Sequence, residues 1–217
     1  MNKIITAISL VMCCMAVGIA QDPDDGYKKG EFFVGYSNQQ VDTGLGDIGD
    51  DLGTDISKRE TFQGFDVSGV YNVSRYVGLK ADVSGAYNNR SFIFYVPTPG
   101  GGTGNLAFQT KNALYNFLGG VQLKDNSKSG RLKPFAHAMI GAAHARTKVR
   151  ELGCSAGVDC TGIESGSETG FAGVFGGGID VRLNNRIQIR LIQADYNPVW
   201  NSGFRQDNIR FGFGLVF

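Results

Sequence analysis

The chain has 217 residues, with 21 Lys and Arg against 20 Asp and Glu and a formal net charge of +1. This length suits one domain, and the near-neutral charge gives no electrostatic basis for a nucleic-acid partner. Glycine is abundant at 32 residues, beside 15 Phe and 8 Tyr. A composition rich in glycine and aromatic residues, without a bias toward helix formers, predicts an all-β chain.

The beginning of the chain has the pattern of a signal peptide. Lys3 gives a short positive region, segment 4–17 is apolar and uncharged, and Gly18 and Ala20 are small residues at the two positions that a signal peptidase reads. The pattern predicts a cleaved signal peptide at residues 1–20 and one mature domain at residues 21–217. The alternative is a retained transmembrane anchor, which needs about 20 apolar residues.

Two cysteines, Cys154 and Cys160, lie beyond the predicted signal peptide in a segment rich in Gly and Ser. In an exported protein this spacing predicts a local disulfide, and closing so short a loop would stabilise it by about 2 kcal/mol. The alternatives are two free thiols or half of a metal site. A zinc site would need two further ligands.

Period-two alternation of apolar residues is clearest at the C-terminus. Successive side chains of a strand point to opposite faces, so this segment has one apolar face and one face of small or polar groups. The apolar positions are Ile209, Phe211, Phe213, Leu215 and Phe217.

Seven earlier segments alternate in the same way, which makes eight predicted strands. Most are near the 9–11 residues that a tilted membrane strand needs. The segments are 31–38, 61–73, 77–87, 111–123, 133–146, 170–183 and 186–196.

The predicted connections alternate between short and long. Three short ones lie at 72–76, 124–132 and 183–186, and four long ones rich in Gly, Asp or Ser lie at 40–60, 88–110, 147–169 and 197–207. Short turns at one end and long loops at the other are typical of outer-membrane barrels. The sequence therefore predicts an eight-stranded antiparallel up-and-down transmembrane β-barrel.

Charged side chains fall on the predicted inner faces of these strands. An eight-stranded barrel leaves an interior just wide enough for side chains, and an unpaired charge there would cost several kcal/mol. Near balance between acids and bases therefore predicts a closed lumen with a charge network. The alternative is that the charges face water in a soluble protein. The predicted network comprises Asp66, Lys80, Asp82, Asp180, Arg182, Arg190 and Arg210.

Three segments resemble the small outer-membrane barrels of OmpA/OmpX type. Segment 69–78 (GVYNVSRYVG) looks like their second strand, first periplasmic turn and third strand, and segment 175–183 (FGGGIDVRL) looks like the sixth strand entering the third turn. The C-terminal residues are similar to the signal read by the barrel-assembly machinery. In this sequence the matching residues are Arg210, Gly212, Leu215 and Phe217. The resemblance implies that the barrel-assembly machinery is a partner during insertion. The resemblance does not extend to a C-terminal peptidoglycan-binding domain, so no wall-anchoring role is expected.

Catalytic and metal-binding patterns are weak. His137 and His144 differ in strand parity, so one is expected inside and one outside, and a structural histidine near the membrane interface is favoured over a catalytic one. Trp200 and Phe204 fit either a partner contact or the interface belt. We expect no catalytic residues, no metal and no cofactor. The acidic first loop is interpreted as solvated, with Ca²⁺ binding as the alternative; its carboxylates are Asp42, Asp47, Asp50, Asp51 and Asp55.

The expected function is that of a non-enzymatic outer-membrane barrel whose long loops serve surface interaction or membrane integrity, with limited solute passage at most. The expected partners are outer-membrane lipid and lipopolysaccharide, and the expected oligomeric state is a monomer. A lipid A-modifying enzyme and a soluble periplasmic lipocalin-like barrel are the alternatives.

Overall fold

The structure is a computed structural model, and it describes residues 26–42, 59–97, 102–127, 129–154, 165–201 and 204–217. Among these residues there is no helix with the length and hydrophobicity that a membrane crossing requires. The elements they form are β-strands.

Eight strands pair in sequence order, and the eighth returns to the first to close an antiparallel barrel. This confirms the predicted fold class. The strands are β1 (Gly30–Asp42), β2 (Arg59–Asn72), β3 (Val77–Pro97), β4 (Thr103–Lys124), β5 (Leu132–Cys154), β6 (Gly166–Arg182), β7 (Gln188–Asn201) and β8 (Phe204–Val216).

Closure joins the two ends of the chain. Phe33 is opposite Val216 and Gln40 is opposite Ile209 in the β1–β8 ladder. At the end of this ladder the backbones of Phe32 and Phe217 exchange hydrogen bonds of 3.0 and 2.8 Å. The backbone groups of β1 and β8 are thus paired on both sides, as hydrocarbon surroundings require.

The two faces of the strands have opposite chemistry. The alternate apolar residues of β8 point outward, with exposed fractions of 44% for Phe211 and 58% for Phe213. Inward positions on the same strand hold Asn208 and Arg210, both buried. An apolar outer face around a polar interior is the arrangement of a barrel solvated by lipid.

The connections differ from the predicted loops. Strand β3 continues to Pro97 and pairs with β4 from Thr103 onward, so most of the predicted loop 88–110 is a regular hairpin. The predicted loops 147–169 and 197–207 are likewise shortened by β5, β6, β7 and β8. Gly, Ser and Asn residues can occupy these strand positions because the hydrogen bonds of a β-ladder join backbone groups only. The prediction of which barrel end bears the longer extensions was right. Three of the four predicted loops are partly strand, and the first, 40–60, lies mostly outside the described residues.

Several predictions concern residues outside the described ranges. These are the signal peptide at 1–20, most of the acidic first loop, and Cys160. Cys154 is the last residue of β5. The disulfide and the signal peptide stay predictions.

Candidate functional site

Arg210 on β8 is at the centre of a buried charge cluster in the half of the lumen nearer the short turns. Its Nη1 donates to Asp82 at 3.0 Å, and its Nη2 donates to Asp195 at 2.7 Å. Asp66 is 3.7 Å from the same guanidinium. Charge-assisted hydrogen bonds of this length are among the strongest in proteins, so Arg210 joins three strands across the lumen.

Arg190 on β7 forms the second centre of the cluster. Its guanidinium donates to both carboxylate oxygens of Asp180, at 2.8 and 3.2 Å. The rings of Phe33 and Phe135 lie on it, with centroids 4.2 and 4.0 Å from Cζ. Cation–π contacts are stronger when desolvated, so the two rings both fill the lumen and stabilise the charge.

Two glycines make room for these rings. A Cβ on Gly35 would lie 2.5 Å from the Phe33 ring, and one on Gly178 would lie 2.9 Å from the Phe135 ring. Carbonyl oxygens of the neighbouring strands, those of Phe213 and Ile192, would be closer still. Glycine at these inward positions is therefore required both by the rings and by the adjacent backbone.

Lys124 extends the network toward the turns. Its Nζ donates to Asp180 at 2.8 Å, to Glu31 at 2.9 Å and to Gln188 at 3.0 Å. Three acceptors match the three donors of an ammonium group, so this buried lysine is fully satisfied.

Gln193 links the two arginine centres. Arg190 donates to its side-chain oxygen at 2.7 Å, and its amide nitrogen donates to Asp195 at 2.7 Å. The network is therefore continuous from Glu31 near the turns to Asp82 in the middle of the barrel.

His137 on β5 belongs to the same network. Its Nδ1 is 3.2 Å from Lys80 Nζ, and its Nε2 is 2.9 Å from Asp195 Oδ1. Because an ammonium group only donates, Nδ1 accepts and Nε2–H donates to the carboxylate. Both ring nitrogens are thereby engaged with charged neighbours.

Apolar side chains fill the lumen beyond the charge cluster, toward the longer hairpins. They form a buried hydrophobic cluster inside the barrel, which we call the apolar plug. Its members are Val41, Phe62, Ala86, Leu114, Leu118, Met139, Ala143, Ala172, Val174 and Val199. The sequence reasoning anticipated charges in the lumen and did not anticipate this second layer.

The predicted charge network and the observed cluster overlap but are not identical. One predicted member, Arg182, is at the turn end of β6, where its guanidinium donates to the Gly130 carbonyl, outside the buried cluster. The predicted members that are buried in the lumen are Asp66, Lys80, Asp82, Asp180, Arg190 and Arg210.

Sequence reasoning missed Glu31, Lys124, His137, Gln193 and Asp195. Lys124 was assigned to a turn, whereas it is the last residue of β4. One inward and one outward histidine were expected, and this is confirmed: His144 is on the outer face, and His137 is only 5% exposed inside the barrel. Its parity within β5, shared with Phe135 and Met139, is the signal that would have found it.

A β-bulge in β7 explains the other two omissions. The β7–β8 register shifts between Arg190 and Gln193, and both Leu191 and Ile192 point outward. A bulge adds one residue and reverses the parity that follows. Strict alternation from Ile187 would have directed Asp195 toward lipid.

The predicted assembly-signal residues lie along β8 and at its end. Arg210 points into the lumen, and Gly212 is also inward, opposite Ser37 of β1. Leu215 and Phe217 are on the outer face, 41% and 39% exposed.

An aromatic belt marks the outer boundary of the apolar face. Tyr87 and Tyr115 meet edge to face with centroids 5.8 Å apart, and Phe171 lies 5.6 Å from Trp200. Trp200 is 40% exposed on the outer face beside Phe171, and its two predicted roles stay predictions. From Val77 to Tyr87, β3 rises roughly 25 Å at the usual tilt, which matches the apolar band of such barrels.

Basic residues follow immediately beyond this belt on the outer face of β4 and β5. Lys111 is directly opposite Lys148, and Arg146 and Arg150 are the neighbouring outward positions of β5. All four side chains are exposed. We call these four residues the basic strip. Like charges directly opposite each other in a ladder are destabilising, so an anion bound between Lys111 and Lys148 would stabilise the pair.

The described residues hold no group of three or more His, Cys, Asp or Glu side chains arranged for a metal ion. The second histidine, His144, is on the outer face, where Nδ1 is 2.8 Å from Thr169 Oγ1.

Comparison with known proteins agrees with this architecture. A search of curated proteins found no match. The crystal structure of Ail, the attachment invasion locus protein of Yersinia pestis, in complex with the heparin analogue sucrose octasulfate, is similar with a TM-score of 0.50 and 14% identity, covering 87% of this chain and 98% of that one. Neisserial surface protein A is similar with a TM-score of 0.51 and 10% identity, covering 86% of this chain and 95% of that one.

These two likenesses concern the fold alone. The model of the outer membrane protein beta-barrel domain matches residues 5–217. The chain therefore belongs to the outer membrane protein beta-barrel domain family.

Proposed function

We propose that this protein is a non-conducting, non-enzymatic barrel of the outer membrane that binds the phosphate groups of surrounding lipopolysaccharide through the basic strip. The role is one of surface interaction and membrane integrity. The observation that carries the proposal is the cross-strand pair of Lys111 and Lys148 just beyond the aromatic belt.

Placement supports a lipid ligand. The strip lies on the same outer face as the apolar positions of these strands, which include Phe117 on β4 and Ile140 on β5, 46% and 60% exposed and six residues nearer the turns. Basic groups at this boundary lie at the depth of lipid headgroups. Phosphate accepts charge-assisted hydrogen bonds from lysine and arginine, and it would relieve the repulsion between Lys111 and Lys148.

The interior supports a non-conducting barrel. Glu31, Asp180 and Lys124 pair at the turn end of the lumen, and the apolar plug lies in the other half, beside buried polar side chains such as Gln39 and Asn116. Paired charges and a layer of buried apolar side chains in series oppose the passage of hydrated ions.

The buried histidine supports a non-enzymatic reading. A serine hydrolase needs a hydroxyl hydrogen-bonded to its histidine base. Both ring nitrogens of His137 are instead engaged by Lys80 and Asp195. His144 is 2.8 Å from the Thr169 hydroxyl, but it has no carboxylate partner among the described residues to orient it as a base.

The test is the double variant Lys111→Gln with Lys148→Gln, purified in uncharged detergent. We expect its affinity for lipopolysaccharide to fall about tenfold, since each hydrogen bond to a charged group contributes about 1.5–3 kcal/mol before screening. Its stability without lipopolysaccharide should stay equal or rise by a few tenths of a kcal/mol, because a like-charge pair is removed. Binding is measured by titration, and folding by heat-modifiability on gels.

Arg75→Gln with Arg131→Gln is the matched control, because it removes two exposed positive charges from the opposite end of the barrel. It should bind lipopolysaccharide as the unmodified protein does, and dephosphorylated lipopolysaccharide should bind weakly to all three proteins. Equal loss in both double variants, or undiminished binding of the dephosphorylated form, would refute the proposal.

A further inference from the structure

A cavity opens at the turn end of the barrel, on the side that faces the periplasm in this class of protein. Its volume is about 890 Å³. Its wall comes from the segment before β1, the β4–β5 connection and the β6–β7 connection, and includes Lys28, Asn126, Lys133 and Arg186. Concave sites of roughly 300–1,000 Å³ are typical of small-molecule binding.

The cavity wall is strongly basic. It is lined by six Lys or Arg residues and two acidic residues, Glu31 and Asp125. Both acids already have partners, since Lys124 lies 2.9 Å from Glu31 and Arg75 lies 2.9 Å from Asp125. The hydrogen bond from Arg75 holds the pKa of Asp125 below its usual range, so this carboxylate stays ionised and engaged. Each acidic residue of the wall is therefore already paired with a base other than Lys28 or Lys133.

Lys28 is the wall residue that most directly indicates a bound anion. Its Nζ is buried and has no hydrogen-bond partner among the described residues. Burial lowers the pKa of Lys28, which means that its charged form is held less favourably than in water. A buried ammonium without acceptors is costly, and an anion in the cavity would offset that cost.

Lys133 lies across the same cavity. Its Nζ donates to the Ser127 carbonyl at 3.0 Å and to the Ser129 carbonyl at 2.5 Å. These acceptors are neutral, so they orient the ammonium group without neutralising it. Arg186, with a fork of donors suited to phosphate or carboxylate, is at the rim of the same cavity.

We propose that this cavity is a binding site for a small anion with two or more phosphate or carboxylate groups, held between Lys28 and Lys133. The site is separate from the basic strip, which is at the other end of the barrel. The anion comes either from the periplasm as a soluble molecule or from phosphate headgroups of the inner leaflet, since the two share the recognised chemistry.

The test uses pyrophosphate as the probe, titrated calorimetrically into the purified protein in uncharged detergent. We expect saturable binding, with an affinity at least about tenfold weaker in the variant Lys28→Gln with Lys133→Gln. The control is Arg131→Gln, an exposed residue of the same connection that does not line the cavity. If Arg131→Gln weakens pyrophosphate binding equally, or if sulfate binds as tightly as pyrophosphate, the effect is one of general charge attraction, and the proposal is overturned.

Two further arms settle the source of the anion. Equal pyrophosphate affinity in nanodiscs of phosphatidylglycerol and of phosphatidylcholine would support a soluble ligand, and competition by phosphatidylglycerol would support a headgroup. The third arm removes the acidic groups that precede the described residues, with Asp22→Asn, Asp24→Asn and Asp25→Asn. Much tighter pyrophosphate binding in that variant would mean that the chain's own carboxylates fill the cavity, and the proposal of an external ligand would fall.

Discussion

Arg210 is the single residue on which most of the lumen charge depends. Its side chain is 1% exposed and lies against the carboxylates of Asp66, Asp82 and Asp195. A buried ion pair adds little net stability compared with an apolar replacement of the whole pair, but removal of one partner leaves an uncompensated charge. The stability of the barrel therefore depends on Arg210, because its removal would leave these buried carboxylates without its positive charge.

We predict that Arg210→Leu lowers the free energy of unfolding by about 3–5 kcal/mol, because it leaves buried carboxylates unpaired. Urea unfolding of protein refolded into lipid measures this without relying on cellular assembly, for which Arg210 is also a predicted signal residue.

Arg205→Leu is the control on the same strand. Arg205 pairs with Asp207 at 2.8 Å, but both side chains are exposed, at 52% and 40%. An exposed pair contributes less than about 1 kcal/mol, so this variant should unfold near the unmodified protein. Equal losses in the two variants would contradict the role assigned to the buried cluster.

At the scale of a single strand, the bulge in β7 decides which side chains reach the lumen. Leu191 and Ile192 are both exposed on the outer face, at 57% and 49%, and Gln193 then returns inward. The extra residue costs one ladder position, and it places Gln193 and Asp195 between the two arginine centres.

Cysteine substitution tests this local register. In a background with Cys154→Ser and Cys160→Ser, we predict that Leu191→Cys and Ile192→Cys both react with a lipid-soluble maleimide, whereas Gln193→Cys reacts at least about tenfold more slowly, because its side chain is fully buried. Strict alternation predicts a reactive Leu191→Cys and a protected Ile192→Cys, so protection of Ile192→Cys would contradict the bulge.

The elements that alternate regularly could be predicted from the sequence, and the irregular ones could not. The β8 pattern from Ile209 to Phe217 specifies its own faces because one face is buried and the other meets lipid. No such pattern identifies the bulge at Leu191. Leu191 and Ile192 are both apolar, and this is compatible with strict alternation as well as with a bulge. The hairpin from Asn88 to Thr110 was predicted to be a loop because its Gly, Ser and Asn residues are common in loops. Its two strands pair through backbone hydrogen bonds, which do not depend on these side chains.

At the scale of the whole molecule, the lumen contains two closures of different chemistry in series. The charge cluster around Arg190 and Arg210 occupies the half near the turns, and the apolar plug with Phe62 and Leu118 occupies the other half. The charge cluster was partly predictable because inward charges stand out in the pattern. The plug was not, because inward apolar residues such as Leu114 obscure the alternation that identifies a membrane strand.

Two closures in series make a specific prediction about conductance. Weakening either one leaves the other to limit ion flow, so Arg210→Ala alone, and Phe62→Ala with Leu118→Ala, should each stay as closed as the unmodified barrel in planar bilayers. The combined triple variant weakens both closures, and its conductance should exceed that of the others by at least about tenfold. Variants are compared only where heat-modifiability shows a folded barrel. Conduction by Arg210→Ala alone would mean that the apolar plug admits hydrated ions, and the lumen would then have one barrier instead of two.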